Sequence, residues 1–203
     1  MGSCQSAARH FSQSRDFSQT RDFSDGGEAW CKRRIADCIH DKSMKLELSD
    51  RGLQLGDESL PAVSFLKLTH IVELNLSDNK FTTFPQDLFQ LSSLKILRFS
   101  RNKLCKLPAD IHKCQTLETL MLDNNKITEL SPQIRKLQNL KCLGLENNLL
   151  TYLPDELGDL RQLQQLTVSQ NKIAMFPEDI FRPGSQLRQI GANTNELVVR
   201  LGV

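Results

Sequence analysis

The stretch Ile71-Val72-Glu73-Leu74-Asn75-Leu76-Ser77-Asp78-Asn79-Lys80-Phe81-Thr82-Thr83-Phe84-Pro85-Gln86-Asp87-Leu88 decides the fold. Its apolar residues follow neither a plain helical nor a plain strand period. Leu74 and Leu76 alternate as on a strand, then asparagine, Phe81 and the Phe84-Pro85 step follow at fixed offsets. The pattern returns with Leu94, Leu97, Phe99, Asn102, Leu104, Leu107-Pro108 and Ile111. It returns again through Leu117, Leu120, Leu122, Asn125, Ile127, Leu130 and Ile134, with Ser131 in the proline slot. Two further copies centre on Asn148, with Leu153-Pro154, and on Asn171, with Phe176-Pro177. Asn79, Asn102, Asn125, Asn148 and Asn171 are each 23 residues apart. One copy alone buries too little apolar surface to be stable, so the copies must stack. The asparagines then fall in one column at a buried bend, where their amides can satisfy backbone groups of adjacent turns.

Degraded copies flank the five. Leu46, Leu48 and Leu53 keep the pattern but put Arg51 in the asparagine slot. Leu187, Ile190, Ala192, Asn195 and Leu197 fit after one inserted residue near Pro183-Gly184. Terminal turns of a stacked array are usually atypical, because one side faces water. The closing Leu197-Val198-Val199 and Leu201 read as an open strand edge. A partner, a short helical cap or a truncated isoform would each account for it.

Period and pattern together resemble the leucine-rich repeat, in its Ras-group or Ras-suppressor-like form. The entry Leu48-Ser49-Asp50-Arg51-Gly52-Leu53 and the segment Leu68-Thr69-His70-Ile71 are also similar to that group. The resemblance implies an α/β solenoid of about seven turns. Short parallel strands would line the concave face, with irregular or helical structure on the convex side. It also implies an intracellular, non-catalytic scaffold of signal transduction whose protein partner belongs to a small-GTPase, adhesion or phosphatase complex. Alternatives are a soluble regulatory subunit of a phosphatase or ubiquitin-ligase complex, or a structural adhesion or cytoskeletal linker.

The organisation read from the sequence is a tail over 1–27, a capping helix within 28–43 and the repeats over 44–203. The helix is expected at roughly 28–41, where Trp30, Cys31, Ile35, Cys38 and Ile39 recur at helical intervals among basic residues. Capping the first turn competes with lying on a membrane surface. The tail repeats Phe-Ser-Gln-x-Arg-Asp and sets Arg9, Arg15 and Arg21 three residues before Ser12, Ser18 and Ser24, a spacing basophilic kinases accept. It opens Met1-Gly2-Ser3-Cys4-Gln5-Ser6, which matches the N-myristoylation signal, with Gly2 as acceptor and Cys4 placed for a second acyl chain. The expected location is therefore cytoplasmic, at the cytoplasmic face of the plasma membrane once the N-terminus is acylated.

The net charge of +2 implies no nucleic-acid partner. No signal peptide or membrane span is legible. The six cysteines show no clustered caps and no C-x-x-C, so all are read as reduced. His10, His40, His70 and His112 are scattered, and nothing resembles a catalytic constellation, a metal site or a cofactor loop. Binding is expected at strand positions flanking the inward leucines. These are Glu73 and Asn75, then Ile96, Arg98 and Arg101, then Thr119, Met121 and Asp123, then Cys142 and Glu146, then Gln165 and Thr167. Ile96, Met121, Cys142 and Gly144 form an apolar centre, with arginines on one side and Asp123 and Glu146 on the other. Arg98 and Met121 are read as solvent-facing.

Overall fold

The computed structural model describes residues 27–54 and 67–197. The lipidation positions Gly2 and Cys4, the phosphorylation motifs and the hydrophobic C-terminal stretch beyond Leu197 lie outside them. Seven three-residue strands form one parallel sheet in sequence order. They are β1 (Lys45–Glu47), β2 (Glu73–Asn75), β3 (Ile96–Arg98), β4 (Thr119–Met121), β5 (Cys142–Gly144), β6 (Gln165–Thr167) and β7 (Gln189–Gly191). The register aligns repeat with repeat: Leu74 sits opposite Leu97, Leu97 opposite Leu120, Leu120 opposite Leu143, and Leu143 opposite Leu166. This is the coil that the repeat resemblance implies.

The convex side is built from short 3-10 helices: Gln86–Gln90, Ala109–Lys113, Pro132–Lys136, Asp155–Asp159 and Glu178–Phe181. Proline caps four of them, at Pro85, Pro108, Pro154 and Pro177. Its fixed φ holds the chain extended before the turn begins. The copy with serine in that slot solves the problem differently. The Ser131 hydroxyl accepts from the Gln133 N–H, and Pro132 moves to the first helical position.

The core runs the length of the coil between sheet and convex turns. Every inward leucine of the sheet is buried, as are Phe81, Phe84, Phe89 and Phe99. Phe84 packs on Phe99 at 4.6 Å between ring centroids, and Phe81 on Phe99 at 5.2 Å. The last turn is looser: Ile190 and Ala192 are half-buried and Leu197 is exposed.

Helix α1 (Gly27–His40) lies against the first turn. Cys31, Ile35 and Cys38 are buried there, while Trp30 is half-buried. The Arg51 guanidinium stacks 4.0 Å from the centre of the Trp30 ring. This explains why arginine replaces asparagine in the first turn. With no turn before it, the slot serves a cation–π contact to the cap instead. His70 adds a second tie, its Nε2 lying 3.3 Å from the Cys38 carbonyl oxygen. The apolar face of α1 is therefore occupied by the solenoid, as the capping reading expects, rather than free to lie on a bilayer.

Candidate functional site

The asparagine column is a continuous hydrogen-bonded ladder. Each Oδ1 accepts a backbone N–H from the preceding turn at 3.0 Å: Asn102 from Phe81, Asn125 from Leu104, Asn148 from Ile127 and Asn171 from Leu150. Asn79 accepts from Arg51 and Leu53, and Asn195 extends the ladder by accepting from Ile173. Each Nδ2 donates to carbonyls of its own and the preceding turn, as Asn102 does to Phe99 and Leu76. The five predicted rungs are buried. The ladder fixes the pitch of the coil, and so fixes the concave face.

Sequence reading missed the residue before each rung. Asp50, Asp78, Arg101, Asn124, Asn147, Gln170 and Thr194 all have positive φ, between 53° and 57°. The chain turns off the strand there, in a region that asparagine and aspartate tolerate best. The recurrence of Asp or Asn in that slot was the available signal. Arg101, proposed as a contact residue, is thus also a bend residue.

The sheet presents its outward side chains in columns on the concave face. Ile96, Thr119, Met121, Asp123, Gln165 and Thr167 are partly exposed there, and Glu146 is exposed. Several predicted contact residues turn out to be engaged within the domain. Glu73 is buried, pairing with Lys45 at 2.9 Å and with Arg98 from the other side. Arg98 is only 18 % exposed, so it is not the open cation that the sequence implied. Asn75 donates to Glu47 at 3.0 Å. Arg101 pairs with Asp78 at 3.3 Å at the rim. Cys142 is buried, which corrects its place as an accessible contact. The other four described cysteines, Cys31, Cys38, Cys105 and Cys114, are free thiols.

At the centre, Gly144 lets two side chains fold inward. A Cβ there would meet the Asp123 carboxylate oxygens at 2.7 and 2.9 Å and the Met121 methyl at 2.9 Å. Asp123 lies over this notch, accepting the Glu146 N–H at 2.8 Å and the Ser100 hydroxyl at 3.4 Å. Burial pushes its pKa above the ordinary 3.8, and the Glu146 charge adds to the shift. The unfolded chain therefore ionises first, so folded stability is lost as pH rises from about 3.8 through the raised folded value. Asp123→Asn keeps the acceptor and removes the charge. It should flatten this part of the pH–stability curve and leave the protein at least as stable at neutral pH, as thermal melts across pH would read out. Beside the strands, Glu118 bridges Lys95 at 3.0 Å and Lys141 at 2.7 Å, which holds its carboxyl below the usual range.

A family model for the leucine-rich repeat region matches residues 53–172. The chain belongs to the leucine-rich repeat family. Leucine-rich repeat domains typically act as non-catalytic protein-interaction modules, in keeping with a concave face of mixed polarity. A solved leucine-rich repeat protein of Leptospira interrogans is similar at 28 % identity and a TM-score of 0.69, covering 79 % of this chain and 46 % of that one. YopM from Yersinia enterocolitica is similar at 25 % identity and a TM-score of 0.60, covering 94 % and 36 %. The chain thus spans less than half the length of these repeat proteins. No curated protein matches it. No group of metal-ligating side chains and no helix long and apolar enough to cross a membrane occurs among the described residues of the repeat domain or its cap.

Proposed function

We propose that this leucine-rich repeat domain is a signalling scaffold that captures a protein partner on its concave face. The observation that carries the reading is the partly exposed centre formed by Ile96, Thr119, Met121 and Thr167, in the middle of a rigid sheet and flanked by Asp123 and Glu146. Apolar anchors at the centre of a patch with a polar rim are where binding energy concentrates. A small GTPase, a phosphatase subunit or an adhesion protein would each fit such a surface, and a Ras-suppressor-like role is the form we favour.

Met121→Lys is the direct test. The new ammonium lies beside the Asp123 and Glu146 carboxylates, so the fold tolerates it, while the apolar centre is lost. Affinity-purified protein should lose its partner by at least tenfold in affinity, about 1.4 kcal/mol, with an unchanged melting curve. Capture undiminished by Met121→Lys but abolished by the convex change Lys136→Glu would move the interface elsewhere. Arg98→Glu is a poor probe, because it sets a second carboxylate against buried Glu73.

The same reading places the scaffold at a membrane through myristate on Gly2 and a second acyl chain on Cys4, which requires that thiol to be free. Myristate alone binds with K of roughly 10⁴ M⁻¹, whereas two anchors hold stably. Gly2→Ala should shift the protein from the membrane to the soluble fraction, and mass analysis of the N-terminal peptide should show the acyl group. An unmodified N-terminus would favour the soluble regulatory-subunit reading.

A further inference from the structure

The net charge of +2 conceals an uneven distribution. Lys80, Lys103, Lys126 and Lys172 each directly follow a ladder asparagine. The backbone N–H of each donates to the preceding turn at 2.7 to 2.8 Å, to Leu53, Phe81, Leu104 and Leu150 respectively, so the four positions stack in one column. With strands about 4.8 Å apart, the first three ammoniums fall within about 10 Å and the row extends about 20 Å. All four side chains are exposed, and none has an ion-pair partner among the described residues. By contrast, Lys45, Lys95, Lys141, Arg98 and Arg101 on or beside the sheet are paired.

The gap in the row is apolar. Leu149 takes the lysine slot in the fifth turn and is 42 % exposed. Three residues beyond that slot, on the same flank, Tyr152 and Met175 from adjacent turns are 50 % and 49 % exposed. Among the described residues Glu129 and Glu196 also lie on this flank. Lys106, whose backbone bridges to Glu129, offsets one of them. Basic and apolar groups therefore share one edge of the coil, away from the concave face.

We propose that this flank docks on an anionic lipid bilayer. A bilayer presents both things the edge would meet, a plane of anionic headgroups and an apolar layer beneath it. Lysines contribute attraction at the surface, and Tyr, Leu and Met side chains enter the interface. A nucleic acid would match the lysine row but would leave Leu149 and Met175 without apolar partners. Docking this way leaves the concave face open to a protein. The inference concerns a surface separate from that face, and it does not need Gly2 to be acylated.

The test uses the full chain carrying Gly2→Ala, so that no acyl chain contributes, and phosphatidylcholine vesicles with or without phosphatidylserine. Co-sedimentation should be strong only with phosphatidylserine and should weaken as salt rises. Each lysine near the surface accounts for about a fivefold change in partitioning. Lys103→Ala with Lys126→Ala should then lower it about 25-fold, whereas Arg135→Ala with Lys136→Ala on the convex side leaves it unchanged. Leu149→Ser with Met175→Ser should lower it on every vesicle that binds, without changing its salt dependence. Equal partitioning with and without phosphatidylserine, no partitioning at low salt, or indifference to the Lys103/Lys126 pair would overturn the proposal. So would tight binding to a DNA duplex through those lysines with none to vesicles. All sites are exposed, so folded yield and melting temperature check that each variant is intact.

Discussion

Leu122→Ala should cost about 2–5 kcal/mol of stability in urea denaturation. Leu122 is fully buried just after β4, in the central turn. Its backbone is tied to the next turn through the Gly144 carbonyl at 2.8 Å. Nothing nearby can relax into the space, because each neighbouring turn is held at fixed pitch by its own asparagine. Folded domains are stable by only about 5–15 kcal/mol, so one such cavity removes a large share. In a stacked array the cavity also weakens the contact between the two halves. A second, earlier unfolding step is the expected signature, and a single transition at the wild-type midpoint would show that Leu122 does not sit in a packed core.

Asn125→Ala should cost about 1–3 kcal/mol without removing any apolar surface. The amide accepts from the Leu104 N–H at 3.0 Å and donates to the Phe99 and Leu122 carbonyls at 3.1 and 2.9 Å. Truncation strands these groups at a buried bend that water reaches poorly. Asn125→Asp keeps the acceptor but turns a carboxylate oxygen toward two carbonyls, so it should be no better. The equivalent rung Asn195 is only partly buried, in the loose last turn, and Asn195→Ala should cost distinctly less. If the central and terminal rungs cost the same in matched denaturation series, the gradient of burial along the ladder is not what sets its energetics.

The fold was legible because the repeat states each position five times. The inward leucines, the ladder and the proline-led convex turns all follow from one phrase read in register. The capping helix was legible from Trp30, Cys31, Ile35 and Cys38. The reason for Arg51 was not, because a cation–π contact leaves no periodic trace. The concave face was half legible. Alternation placed Met121 and Thr167 outward, but it could not show that Glu73 is buried between Lys45 and Arg98. Those three belong to different repeats, and their pairing depends on side-chain reach across turns. Charge totals likewise hid the lysine flank, since a column on the folded coil is spread over 93 residues of sequence from Lys80 to Lys172. The bend residues were overlooked because their role is conformational. Aspartate and asparagine there read equally well as polar contacts.

Site-specific photo-crosslinking tests the concave-face account most directly. A photoreactive residue replaces Thr167 in one variant and Lys136, on a convex 3-10 helix, in another, and each is irradiated in intact cells. The account predicts that Thr167 gives a discrete protein adduct that Met121→Lys removes, while Lys136 gives none. An adduct at Lys136 with none at Thr167, or one at Thr167 indifferent to Met121→Lys, would contradict it.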